Sequence, residues 1–127
     1  NATPQGIFFL GKFYYRPDRI KKIKTNLSCK KIKKDMGWCN DPKNIKYNKE
    51  VNRKKIKNSE KLFRKDYKYN AFIVINYNSK PVIRNKGSAI FLHLTINYKP
   101  TAGCIAIKQN DFFKLAKIIN NKTRIKI

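Results

Sequence analysis

Apolar residues along this chain gather in a few short runs separated by long polar stretches. Gly6 to Tyr15 is aromatic and β-branched and stops at Arg16-Pro17-Asp18, which predicts a strand closed by a turn. From Arg19 to Lys34 the isoleucines are spaced too loosely for a helix, so exposed strand or loop is expected. Asp35 to Asn48 carries turn chemistry around Asn40-Asp41-Pro42 and reads as an ordered loop anchored by Trp38. Lys49 to Asp66 is mostly polar, and Ser59-Glu60-Lys61-Leu62-Phe63 suggests the start of a short helical turn.

The second half is more strongly patterned. Tyr69 to Tyr77 holds the apolar run Ala71 to Ile75, and Gly87 to Leu94 and Ala102 to Ile107 are two further runs; all three predict core strands. Phe112, Leu115, Ala116 and Ile119 fall on one helical face behind Asn110, a good N-cap type, so a helix is expected over residues 110–120. Thr123 to Ile127 alternates and closes as a strand. The order predicts one domain, mainly β, a curled sheet or β-sandwich with one flanking C-terminal helix. A chain of 127 residues buries one core, and no run reaches the roughly 18 apolar residues of a membrane span.

Charge changes this picture little. The formal net charge is +24, which suits an anionic polymer and raises a nucleic-acid reading. Lys outnumbers Arg 25 to 6, whereas phosphate recognition favours the bidentate Arg fork. Lys, Asn and Ile together make up 57 of 127 residues, the bias of an A/T-rich coding sequence. A basic binding module without catalysis therefore stands as the alternative to an enzyme.

Three cysteines are too few for a disulfide scaffold. Cys29 and Cys39 are near enough in sequence to bridge in an oxidising compartment, which leaves Cys104 alone. A zinc site from Cys29, Cys39, His93 and Cys104 lacks the close Cys pairs such sites use. His93 is the single histidine, near the end of one predicted strand, and Cys104 opens the next. Two adjacent strands would bring imidazole and thiol together, the pairing that nucleophilic thiol chemistry needs. Gly103 has no Cβ to keep a substrate carbonyl from the backbone, and the amides around Gly103 and Cys104 suit an oxyanion.

At these residues the chain resembles the L,D-transpeptidase catalytic domain of the YkuD type, in the branch that reads Gly-Ser-Ala-Ile-Phe-Leu-His and then Thr-Ala-Gly-Cys. Here these are Gly87 to His93 and Thr101 to Cys104. Thr3-Pro4-Gln5-Gly6, Gly37 to Pro42, Tyr47-Asn48, Ser59-Glu60 and Asn76-Tyr77-Asn78 resemble that branch's other landmarks in the same order. Ala102 stands where the wider family has a second His, and Ala106 where it tends to have Arg. The resemblance implies a chain that begins inside the domain, without its N-terminal strands, and a cell-envelope or periplasmic monomer that acts on peptidoglycan stem peptides. Cys104 would be nucleophile and His93 base, with no metal or organic cofactor, and carbapenems would acylate Cys104. Thr101 would orient His93 or line the site, unless it only leads into the strand. Trp38, Tyr47 and Asn48 would wall the substrate groove, unless they only pack the loop.

Overall fold

The computed structural model of the chain describes residues 3–95 and 104–127. Nine strands and one helix lie within them: β1 (Ile7–Tyr15), β2 (Cys29–Lys31), β3 (Met36–Cys39), β4 (Glu50–Asn52), β5 (Ser59–Lys61), β6 (Ala71–Ile75), β7 (Phe91–Thr95), β8 (Ile105–Lys108), α1 (Gln109–Ile118) and β9 (Arg124–Lys126). The larger sheet runs β2-β1-β6-β7-β8, with β9 paired to the first half of β1. Strands β1/β6 and β6/β7 are antiparallel; β1/β2 and β7/β8 are parallel. A smaller sheet runs β4-β3-β5. The mainly β architecture with one C-terminal helix is the one the apolar runs predict.

Strand periodicity of two divides the larger sheet into two buried faces. Leu10, Phe13, Ile73, Ile75, Leu92 and Leu94 meet Phe112, Ala116 and Ile119 of the helix region. Tyr14, Phe72 and Phe91 point the other way and pack against Met36 and Trp38 of the smaller sheet, with Leu62 and Tyr69. The molecule is thus layered as helix, large sheet and small sheet. Between the sheets the aromatic rings are continuous. Phe72 stacks on Tyr14 at 4.8 Å and on Phe91 at 4.3 Å, and Phe91 meets the edge of Trp38 at 5.1 Å. Such pairs add roughly 0.5–1.5 kcal/mol each beyond the burial of their area.

Several local expectations give way. Met36 to Cys39, read as loop, is the fully buried central strand of the small sheet, because β4 and β5 pair with it on both sides. Ser59 to Lys61 is one of those partners and not a helical turn. The helix begins at Gln109 with Lys108 as N-cap and no side-chain cap bond, so Asn110 lies inside the first turn. Strand β8 is only half-buried. Cys29 is exposed on β2 of the large sheet, Cys39 is buried on β3 of the small one, and both thiols are free.

The inter-sheet aromatic layer generates a direct test. Phe72 is fully buried, and Phe72→Ala should cost roughly 3–5 kcal/mol, much of a typical stability of about 5–15 kcal/mol. Urea denaturation should show a large fall in midpoint. Ile45 is 81% exposed, and Ile45→Ser should move the midpoint hardly at all.

Candidate active site

Cys104 immediately precedes β8, and His93 is the central residue of β7. The parallel register pairs Leu92 with Ile105 and His93 with Ala106, so Cys104 falls beside Phe91. The Phe91 amide donates to the Cys104 sulfur at 3.5 Å, and the thiol donates to the Ala89 carbonyl at 3.1 Å. Phe91 and His93 are two apart on one strand and therefore share a face. Cys104 belongs to the inter-sheet core together with Phe91 and Tyr69, and the His93 ring meets the Tyr69 ring edge-on at 5.8 Å. Thiol and imidazole thus occupy the same face of neighbouring strands.

The imidazole has a defined tautomer. Its Nδ1 lies 3.0 Å from the Leu94 carbonyl, and a carbonyl only accepts, so Nδ1 carries the proton. Nε2 then bears the lone pair. That atom is buried and has no hydrogen-bond partner among the described residues. Burial chiefly, opposed by the Leu94 carbonyl and aided by Lys68 and Arg64, holds the His93 pKa below its ordinary 6.5. Burial likewise pushes the Cys104 thiol above its ordinary 9.0, with the Phe91 amide and Lys68 pulling down and Glu60 pushing up. The resting pair at neutral pH is therefore a neutral thiol and a neutral imidazole.

The chain that delivers Cys104's hydrogen-bond partners is itself held in an uncommon conformation. Ala89 has φ of 54°, in the left-handed region that costs a residue with a Cβ roughly 1–2 kcal/mol. The run from Gly87 is regular strand from Phe91 onward, and the Ile90 carbonyl just before it accepts from Ile75 N–H at 3.0 Å. Asn48 fixes the bend: its Oδ1 accepts from Ala89 N–H at 3.1 Å and from Trp38 Nε1–H at 2.9 Å, and its Nδ2 donates to the Tyr77 and Asn78 carbonyls at 3.0 and 2.7 Å. Tyr47 accepts from Gly87 N–H at 3.1 Å. Trp38 and Asn48 also line a cavity of about 520 Å³, whereas Tyr47 is buried and not part of its lining. Neither Cys104 nor His93 lines that cavity. Thr101 and Gly103 lie outside the described residues.

Two residues join the site that sequence reasoning had not assigned a role. Tyr69 donates its hydroxyl to Glu60 and places its ring against both His93 and Phe91. Burial first, then the Glu60 and Cys104 charges, push the Tyr69 pKa far above its ordinary value, so its hydroxyl stays a donor. Ser59-Glu60 stands out as a landmark in the sequence, but nothing local tells that its carboxylate faces a tyrosine nine residues on.

Among the described residues no group of three or more His, Cys, Asp or Glu side chains is placed to hold a metal ion, and no helix is long and apolar enough to cross a membrane. No curated protein and no solved structure matches the chain. The L,D-transpeptidase catalytic domain, YkuD, matches residues 1–127. With the match spanning its whole length, the chain belongs to the L,D-transpeptidase catalytic domain family, whose function is directed at peptidoglycan.

Proposed function

We propose that this chain is a cysteine acyltransferase of the cell envelope or periplasm that works on peptidoglycan stem peptides through a thioester on Cys104. The observation that carries the reading is the His93 ring: Nδ1 is committed to a carbonyl, and Nε2 is a buried lone pair on the same sheet face as the thiol. As the sulfur attacks a stem carbonyl, Nε2 takes the thiol proton and a C–S bond forms. The Phe91 amide, already directed at the sulfur, offsets part of the charge that builds there. Backbone amides at Gly103 and Cys104 receive the oxyanion. The C–N bond to the terminal D-amino acid breaks, and His93 returns the proton to the leaving amine.

In the second step an amine from a neighbouring stem attacks the thioester carbonyl. A new C–N bond forms, the C–S bond breaks, and the proton lost by the amine returns through His93 to the sulfur. Water in place of the amine yields a shortened stem. Thr101 positions His93 or lines the cleft in this reading. Asn48, Tyr47 and Trp38 serve the groove by holding the segment 87–89, and Trp38 and Asn48 also present surface to it. The chain works as a monomer, and no step requires a metal or organic cofactor.

A carbapenem supplies a strained acyl carbonyl, so incubation should add its mass to the peptide containing Cys104. Cys104→Ser should abolish the adduct. His93→Ala should slow its formation by roughly a hundredfold or more, the usual worth of a general base. Label on Cys29 or Cys39, or label that survives Cys104→Ser, would overturn the assignment of the nucleophile.

The neutral resting pair also fixes a pH profile. His93 serves as base only when unprotonated, and its pKa is lowered, so the acylation rate should climb with pH through a midpoint below 6.5 and then level. A second rise should begin only as the thiol itself ionises, above 9.0. Rapid-mixing acylation rates across this range check both limbs, and a first midpoint at or above 6.5 contradicts the buried neutral base.

A further inference from the structure

We infer that the cavity of about 520 Å³ beside Trp38 is a subsite for a carboxylate-bearing segment of a peptide. The inference rests on the peptidoglycan reading above and assigns this chain's own residues to part of that substrate. A cavity of this size accepts a ligand of a few residues.

Charge within the cavity is unbalanced in a specific way. Lys12, Lys30 and Lys49 line it together with one carboxylate, Glu50. Both Glu50 oxygens are already engaged: Lys30 Nζ lies 2.9 Å from Oε1 and 3.0 Å from Oε2, and the Tyr14 hydroxyl donates to Oε1 at 2.7 Å. Lys30 is thereby neutralised. Lys12 and Lys49 make no ion pair among the described residues, so two ammonium groups remain for a ligand. They border an aromatic wall, where Tyr14 and Trp38 meet edge to face at 6.2 Å. Two cations beside aromatic carbon fit a carboxylated peptide, whose charges and apolar atoms alternate over short distances.

The backbone is shaped around the opening. The β1/β6 register shifts between Leu10 and Phe13, so Gly11 and Lys12 form a bulge, a device that re-aims a side chain. A Cβ at Gly11 would lie 2.7 Å from Asn76 Oδ1 and 3.3 Å from Val74 Cβ, both on the cavity lining, so a side chain there would displace the Asn76 carboxamide and press on Val74. The cavity is also continuous with the nucleophile's support. Ile90 lines it, and its neighbours Ala89 and Phe91 are the two residues whose backbone groups hold the Cys104 sulfur. The lysines are point charges without the Arg fork that favours phosphate.

The test is equilibrium binding at physiological salt to the full chain carrying Cys104→Ala, which separates binding from turnover. The probes are a synthetic stem tetrapeptide with free carboxylates and the same peptide with every carboxylate converted to carboxamide. The acid form should bind, and Lys12→Gln with Lys49→Gln should weaken it roughly three- to tenfold, as expected for two partly exposed ion pairs. The carboxamide form should bind weakly and show no response to the two changes. Lys114→Gln with Lys117→Gln, equal in charge but on the exposed side of α1, should leave binding unchanged.

Equal loss in the α1 variant would show that net charge and not the cavity is read, and would overturn the subsite. So would equal binding of the two peptide forms. Displacement of the peptide by a single-stranded oligonucleotide that itself depends on Lys12 and Lys49 would overturn it in favour of a phosphate site. Failure of Cys104 to form any adduct, with lysine-dependent peptide binding intact, would instead remove the acyltransferase reading and leave the subsite standing.

Discussion

The carboxamide of Asn48 is where the two sheets and the candidate nucleophile meet. Its two acceptor lone pairs and two donor hydrogens are all used, which is the full capacity of the group. Asn48 itself sits at φ of 59°, a conformation that Asn tolerates better than most residues. A left-handed residue therefore braces a second one, Ala89, whose carbonyl takes the Cys104 thiol hydrogen. Backbone strain of this kind persists only where the surroundings over-determine it. Here a tryptophan, two loop carbonyls and an amide do so through one side chain.

That brace steadies one of the two backbone groups that hold the sulfur among the described residues, the Ala89 carbonyl, and the Phe91 amide is the other. The thiol rests on a carbonyl, protonated, while the imidazole keeps its lone pair apart and dry. An ion pair in this core would need two desolvated charges, and burial opposes both. The neutral arrangement costs less at rest. In the proposed reaction it would place the proton transfer at the moment of attack, when the substrate's carbonyl carbon gives the sulfur a reason to lose its proton.

Much of this was legible in the sequence, but unevenly. Strands β6 and β7 and the helix could be read because their apolar residues are contiguous or fall at a clear period. Strand β3 could not, since Met36-Gly37-Trp38-Cys39 is four residues long and borders Asn40-Asp41-Pro42, whose turn chemistry dominates any local reading. Its strand character comes from β4 and β5, which are themselves polar because each pairs on one side only. The proposed pairing of Cys104 with His93 rests on motif and spacing, and the parallel register puts the two on one sheet face. The Tyr69 and Glu60 contribution was not legible, because it arises where a loop and a small sheet close over the larger one. Tyr47 and Asn48 illustrate the same limit: their positions in the chain mark them, while the hydrogen bonds that give them purpose connect residues 40 and 41 positions apart.

The excess of positive charge acquires a local meaning at the site. Of the seven acids, Asp18, Asp35, Glu50 and Asp66 are spent in ion pairs with nearby bases, and Glu60 faces the inter-sheet core. Most lysines are solvated and, at physiological salt, screened beyond about 8 Å. Lys68 and Arg64 are close enough to act. After burial, which dominates both groups, Lys68 and Arg64 lower the His93 pKa and Lys68 lowers that of Cys104. Both effects push a proton off the pair. At Cys104 this pull is smaller than burial, so the thiol stays raised, whereas at His93 it adds to burial and favours the neutral ring.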